Sequence, residues 1–138
     1  MRDKDDKEER IGGYESQIEF VWGIILRINR ETNPFMLDEW CRKYPDEPLV
    51  LSAIARNRHA RRKLLGQLAR NRNCEIRRSV AMNPRCSRKR LRRLARDRDV
   101  NVRCEVALNI SAPKKALKRL AKDTKSIVRS AYKMRREN

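Results

Sequence analysis

The apolar residues of this chain follow two phrases that recur every 26 residues. One phrase reads VLSAIARN from Val50, IRRSVAMN from Ile76 and VRCEVALN from Val102, with a degraded copy, VRSAYKMR, from Val128. The other places Leu65, Leu68 and Ala69 in register with Leu91, Leu94 and Ala95, and with Leu117, Leu120 and Ala121. A fixed period of about 20 to 50 residues is typical of stacked repeats, in which each repeat buries its apolar face against its neighbours.

Each repeat predicts two short helices, because its apolar positions fall at helical spacing. In the middle repeat the leucine phrase predicts a helix over 88–96. The valine phrase predicts a second helix over 101–109, with Asp99 or Asn101 as its N-cap. Pro84 and Pro113 stand in the turns that end the valine-phrase helices. The sequence therefore predicts an all-α fold, namely a right-handed α-solenoid of about three and a half two-helix repeats.

The first 48 residues follow a different pattern. Residues 1–13 carry alternating charges and are predicted to be a disordered tail. Residues 14–48 contain both tryptophans and both phenylalanines, and they predict two helices, with Asn33 and Pro34 at the start of the second. We expect these helices to form an N-terminal cap on the repeat array of residues 49–138. Alternatively the first helix binds a partner, because the run 18–28 is apolar on all sides.

Charge is also divided between the two parts of the chain. Residues 1–48 hold 8 Lys/Arg and 12 Asp/Glu, whereas residues 49–138 hold 28 Lys/Arg and only 6 Asp/Glu. The N-terminal residues are charged rather than apolar, so they do not resemble a secretory signal. The longest apolar run is shorter than the roughly 20 residues that a bilayer span requires. We therefore expect a soluble, cytoplasmic protein with a basic repeat array.

The phrases LRRLARDRDVNVRCEVALN and LKRLAKDTKSIVRSAYKM resemble the leucine-rich repeat variant (LRV) family, whose pattern is LxxLAxD followed by VRxxVAxN. The resemblance extends from Val50 to about Met134, although the period is longer than that family's, which leaves room for two full helices. A more distant resemblance to HEAT repeats comes from recurring Asp, Val and Arg positions. It implies that Arg77, Arg103 and Arg129 pair with Asp97 and Asp123 along the array, with Asn71 marking a weaker copy.

No cofactor, metal site or catalytic activity is predicted. The cysteines, Cys41, Cys74, Cys86 and Cys104, are isolated and without a CxxC pair, and His59 is the only histidine. Some LRV proteins carry an iron–sulfur module, but Cys41 alone precedes the repeats. Alkylpurine DNA glycosylases use similar arrays, yet they need a carboxylate and aromatic residues in the concave groove, which these repeats do not offer. There is no glycine-rich phosphate loop and no HExxH motif.

Basic columns on the leucine-phrase helices lie opposite the apolar positions and contain no acidic residue. Such columns could be a solvated face, but solubilising faces usually mix the two signs. A stripe of one sign is typical of polyanion binding, and Tyr132 is the only aromatic residue of the repeats, which argues against base stacking. The sequence predicts a nucleic-acid partner, DNA or RNA, bound with little sequence specificity. The predicted binding residues are Arg62, Lys63, Arg70, Arg88, Lys89, Arg92, Arg93, Arg96, Lys114, Lys115, Lys118, Arg119 and Lys122.

An alternative prediction concerns the valine-phrase helices, which line the concave side of HEAT arrays. Their outward columns are partly apolar, and such a surface suits a protein segment better than a phosphate backbone. The chain would then be a protein-interaction scaffold that docks an acidic or amphipathic segment. The residues of this alternative are Arg56, Arg78, Met82, Cys104, Leu108 and Met134.

Overall fold

The computed structural model describes the backbone of residues 2–138 and the side chains of residues 16–138. Within those limits the chain is all-helical, with nine α-helices and no strand. The helices are α1 Arg2–Arg30, α2 Pro34–Lys43, α3 Pro48–Arg56, α4 Arg62–Leu68, α5 Cys74–Met82, α6 Arg88–Leu94, α7 Val100–Leu108, α8 Lys114–Leu120 and α9 Ser126–Glu137. The tail predicted for residues 1–13 falls outside the described side chains, and its disorder stays a prediction.

Side-chain caps begin several helices where the sequence places Asn, Ser or Asp. The side chain of Asn33 accepts a hydrogen bond from the backbone N–H of Phe35 at 2.9 Å, ahead of Pro34 in the first turn of α2. Of the two caps predicted for α7, Asp99 is the one used, and its carboxylate accepts from the backbone N–H of Val102 at 3.1 Å. Because these caps satisfy free N–H groups, they fix where α2 and α7 start.

The helices pack in the order in which they follow one another along the chain. The longer helices α1, α3, α5, α7 and α9 each contact the next member of that series. The short helices α4, α6 and α8 lie against the longer helices before and after them. Apolar side chains from both sets, such as Ile54, Leu65, Val80 and Leu91, are fully buried in one continuous core. Burial of this apolar area is the main stabilising contribution.

A ladder of buried asparagines joins α3, α5 and α7 each to the longer helix before it, whereas in α9 the same position is Arg135, which donates to the backbone oxygen of Asn109. The amide nitrogen of Asn83 donates to the backbone oxygens of Ala55 at 2.7 Å and of Asn57 at 3.0 Å. Asn109 repeats the arrangement with the oxygens of Ala81 and Asn83, at 2.6 and 3.0 Å. Asn57 donates in the same way to the C-terminal carbonyl groups of α1. These asparagines therefore end their own helices and also bond to the backbone of the preceding helix.

Arginine–aspartate pairs form a second ladder, as the sequence predicts. The Nε and Nη2 atoms of Arg77 donate to the carboxylate of Asp97 at 2.8 and 3.0 Å. Its Nη1 atom donates to the backbone oxygens of Asn71 and Arg72, both at 2.9 Å. The Nε and Nη2 atoms of Arg103 donate in the same way to the carboxylate of Asp123, at 2.8 and 3.1 Å. Such bidentate, charge-assisted bonds hold the turns after α6 and α8 against the longer helices that precede them, α5 and α7.

The pairing predicted for Arg129 is wrong in one respect. Its Nη1 atom donates to the backbone oxygens of Asp123 and Thr124, at 2.6 and 3.1 Å, but it has no carboxylate partner among the described residues. At the other end of the ladder, buried Leu51 stands in the arginine position and Asn71 in the aspartate position. An apolar side chain there makes a charged partner unnecessary, which explains why the copy at Asn71 looks weak in the sequence.

The surfaces of α1 and α9 differ from those of the helices between them. Ile24, Ile25 and Ile28 are buried, whereas Ile18 and Trp22 on the same helix are 56 % and 57 % exposed. In α9, exposed Lys133 takes the position of three buried alanines, Ala55, Ala81 and Ala107. The outward face of α9 is therefore polar, whereas the first part of the described α1 side chains remains apolar and uncovered.

Candidate nucleic-acid interface

All thirteen basic residues predicted to bind nucleic acid are exposed. None of them takes part in an ion pair or donates a side-chain hydrogen bond within the described part of the chain. The arginines that do form ion pairs there are others, namely Arg61, Arg77, Arg78 and Arg103. Arg61, for example, pairs with Asp38 and stacks over the ring of Phe35 at 4.7 Å. The thirteen positive charges therefore have no partner among the side chains of residues 16–138.

Two aspartates near these charges are held ionised by the arginine–aspartate ladder. Burial alone would raise the pKa of Asp97, but hydrogen bonds from Arg77 and from the backbone N–H of Asp99 outweigh it and hold the pKa below its usual value. The same opposition of burial and hydrogen bonding, here from Arg103, lowers the pKa of Asp123. Each carboxylate is neutralised by its own arginine, so neither opposes an approaching anion strongly.

An open groove of about 950 Å³ lies where the ends of α4 and α6 meet α8. Nine basic side chains and a single carboxylate, that of Asp97, line it, and we call it the arginine groove. Its basic residues are Arg70, Arg72, Arg77, Arg92, Arg93, Arg96, Arg98, Lys115 and Arg119. A second groove of about 640 Å³ adjoins it, sharing Arg96 and Arg119 and adding Lys122. The two grooves make a continuous concave surface of predominantly positive charge.

The structure divides the predicted binding residues into two groups. Seven line the two grooves: Arg70, Arg92, Arg93, Arg96, Lys115, Arg119 and Lys122. Six lie outside them: Arg62, Lys63, Arg88, Lys89, Lys114 and Lys118. The division has a simple cause, since each leucine-phrase helix has only seven residues and most of the excluded residues lie in its first turn. The groove forms mainly at the opposite ends of these helices, next to the turns.

The sequence prediction missed two groove residues, Arg72 and Arg98. Both lie in the turns after the leucine-phrase helices, and both are exposed. They share one position of the 26-residue repeat, so the signal was present in the sequence, but the prediction considered only helical columns. The column ends at Thr124, which supplies no charge.

Positive charge is denser over α6 and α8 than over α4. Gly66 and Gln67 of α4 stand where α6 has Arg92 and Arg93, and where α8 also has basic residues. A side chain at position 66 would collide with the guanidinium group of Arg90, which lies directly against Gly66. The missing side chain thus leaves room for the guanidinium group of Arg90, and the lack of basic residues at positions 66 and 67 leaves less positive charge on α4 than on α6 and α8.

The residues of the alternative protein-binding surface have mixed environments. Met82, Leu108 and Met134 are 42 %, 43 % and 57 % exposed, so the apolar column predicted from the sequence reaches solvent. Arg78, in contrast, is engaged with Glu105 through an Nη2–Oε1 distance of 2.9 Å. Exposed Arg56 and half-buried Cys104 complete the predicted set.

The cysteines and other titratable groups do not assemble into a reactive cluster in the described structure. Burial raises the pKa of the Cys86 thiol to about 11, although the charge of Arg90 acts in the opposite direction. No group of three or more His, Cys, Asp or Glu side chains that could hold a metal ion occurs among residues 16–138. No helix in the portion searched is both long enough and apolar enough to cross a lipid bilayer.

Comparison with protein-family models, curated proteins and solved structures finds no match to this chain. Any assignment of function therefore depends on the residues and geometry described above.

Proposed function

We propose that this chain is a non-catalytic nucleic-acid-binding protein whose basic surface contacts phosphates with little sequence specificity. The observation that carries the proposal is the pair of adjoining grooves, where arginines and lysines without a partner among the described side chains converge. Desolvated or focused fields in a concave surface raise the local concentration of a polyanion. Guanidinium groups also suit bidentate contacts with phosphate oxygens.

The proposal includes an architecture, namely a right-handed α-solenoid of three and a half LRV-like and HEAT-like repeats over residues 49–138. Two observations support it. The asparagine ladder and the arginine–aspartate ladder both recur at the sequence period, and each bond joins helices from consecutive copies. In a solenoid the same side chain meets the same neighbour in every repeat, so a column of basic residues becomes a stripe.

The test is a binding titration of purified protein from which co-purifying nucleic acid has been removed. We expect binding to labelled DNA or RNA whose log–log salt dependence has a slope of several units, since each neutralised phosphate contributes about −0.9 on duplex DNA. Changing Arg93 and Arg96 together to Glu should weaken binding while the circular dichroism spectrum is unchanged. Absence of any salt-dependent binding to either nucleic acid would contradict the proposal.

A second candidate function, a protein-interaction scaffold, is favoured by one observation. The large apolar residues Met82, Leu108 and Met134 recur at the repeat spacing and are all substantially exposed. An exposed apolar row of this kind is a feature of peptide-binding surfaces. Changing Met82 and Leu108 to Asp should abolish capture of a protein partner in pull-downs and leave nucleic-acid binding intact. Capture unaffected by both substitutions would count against the scaffold.

A further inference from the structure

We propose that the arginine groove, rather than the whole basic stripe, is the phosphate-binding element, and that its ligand is double-stranded nucleic acid. This inference rests on the proposed function and specifies both the site and the class of ligand. It also assigns a binding role to Arg72 and Arg98, which the helical columns do not include.

The location follows from where unpaired positive charges surround a common volume. In the groove, Arg93 and Arg96 lie at the C-terminal end of α6, and Lys115 and Arg119 lie on α8, the next leucine-phrase helix. The four side chains line the same open space of about 950 Å³. All four side chains are exposed and make no ion pair with described residues. A phosphate placed between them meets charges from two sides, whereas a phosphate over Arg88 or another first-turn residue meets charges from one side only. Because Coulomb energies add over close charges, the groove binds more strongly.

The groove floor supports this location. The carboxylate of Asp97 is the only acidic group in the lining, and it is already bonded twice by Arg77. The same arginine is tied to two backbone carbonyl groups, so the floor is held in one arrangement. An anion entering the groove therefore meets exposed arginines above a floor whose own charges are paired. The floor needs little reorganisation, and pre-organisation of this kind favours affinity.

The ligand class follows from what the groove lacks. Its lining includes no aromatic side chain, and its apolar members are small or aliphatic, such as Ala69, Leu94 and Ala116. Proteins that hold single strands without sequence preference usually stack bases on aromatic rings, which contributes about 1–3 kcal/mol per base. A site that depends on phosphates alone gains most from the highest phosphate density, which is one charge per about 1.7 Å in a duplex. The groove therefore favours a duplex over a single strand.

The experiment compares two triple variants that remove the same charge from equally exposed positions. The groove variant changes Arg93, Arg96 and Arg119 to Gln, and the control changes Arg88, Lys89 and Lys114 to Gln. Binding to a fluorescent duplex of about 20 base pairs, in DNA and in RNA form, and to one of its single strands is measured between 0.05 and 0.3 M salt, roughly the range in which phosphate contacts are resolved. None of the six side chains is bonded in the described structure, so circular dichroism and thermal unfolding should match the unaltered protein.

For the groove variant we expect the salt slope on duplex DNA to fall by about 2.7, from three lost phosphate contacts at about 0.9 each. That change corresponds to a loss of about 100-fold in affinity at 0.15 M salt. The control should lose less than about 5-fold, with a slope change below about 1. The unaltered protein should bind either duplex at least about 10-fold more tightly than the single strand.

Each other result overturns a specific part. Equal losses in the two variants mean that net charge, and not the groove, determines affinity, while the proposed function stands. Single-strand binding as tight as duplex binding refutes the ligand class alone. No binding of any nucleic acid by the unaltered protein removes the proposed function, and the groove inference with it.

Discussion

The pair formed by Arg77 and Asp97 offers a quantitative test of the ladder that underlies the groove. Arg77 donates four hydrogen bonds, two to the carboxylate of Asp97 and two to backbone carbonyl groups. The side chains are only 8 % and 9 % exposed. Substitution of Arg77 by Leu would leave a nearly buried carboxylate that keeps only the hydrogen bond from the backbone N–H of Asp99. Breaking a buried pair in this way costs about 3–5 kcal/mol.

The chain itself shows how the loss can be relieved. Leu51 and Asn71 occupy the positions of Arg77 and Asp97 one period earlier, and there the neutral combination is accommodated. The double variant Arg77→Leu, Asp97→Asn should therefore be more stable than Arg77→Leu alone, by about 2 kcal/mol, because no unpaired charge remains buried. It should still be less stable than the unaltered protein, since the carbonyl groups of Asn71 and Arg72 lose their donor.

The measurement is urea unfolding, followed by circular dichroism at 222 nm, for the unaltered protein, both single variants and the double variant. A double-mutant cycle then gives the interaction energy of the pair. Arg92→Leu is the control, because that arginine is exposed and unbonded, and it should change the free energy of unfolding by less than about 0.5 kcal/mol. Strict additivity of the two single changes would refute the direct pairing of Arg77 with Asp97.

Two further predictions concern the asparagine ladder and the pH dependence of stability. Asn83→Ala should lower the free energy of unfolding by about 3 kcal/mol, because it leaves two buried carbonyl groups and the backbone N–H of Arg85 without their partner. The control is Asn101→Ala, because Asn101 is exposed and does not cap a helix. Equally small effects of the two changes would show that Asn83 only ends a helix. Since the folded-state pKa values of Asp97 and Asp123 lie below the usual value near 3.9, the stability they contribute should be fully present above about pH 5 and lost as the pH falls through those lowered values. In the double variant Asp97→Asn, Asp123→Asn, thermal unfolding between about pH 5 and 2 should show a flatter decline, and an unchanged decline would contradict the ladder as its source.

Much of the local structure could be predicted from the sequence because the same residue types recur at the same positions in several copies of the repeat. The cap at Asn33 and the exposure of the basic columns follow from side-chain chemistry and helical spacing, without knowledge of the packing. For α7 the sequence left Asp99 and Asn101 both open as the cap, and the structure uses Asp99. The pairing of Arg77 with Asp97 was predictable for a different reason. The recurring Asp, Val and Arg positions resemble those of HEAT repeats, and that resemblance implies the pairing.

The rest depends on how helices meet, which no single phrase encodes. Asn83 ends a helix and also reaches back to the previous one, but only the second role requires the helices to be neighbours. The arginine groove likewise combines residues from three helices and two turns, so its members could not be separated from Lys89 or Arg88 by periodicity. Gly66 shows the same limit, because the group that occupies the space beside it belongs to an arginine 24 positions later.

The asparagine ladder has a consequence for the length of the molecule. Every bond in it joins a side chain to the backbone of the preceding copy, so the bonding pattern is indifferent to how many copies lie in the middle. Duplicating the segment 83–108 would give the new asparagine the oxygens of Ala81 and Asn83. Arg103 would then pair with the new copy of Asp97, and the new copy of Arg103 would pair with Asp123. Insertion at the polar outer face of α9, beside Lys133, has no such template. The chain is thus extensible from within, and the length of its positive surface becomes a quantity that can be set by the number of copies.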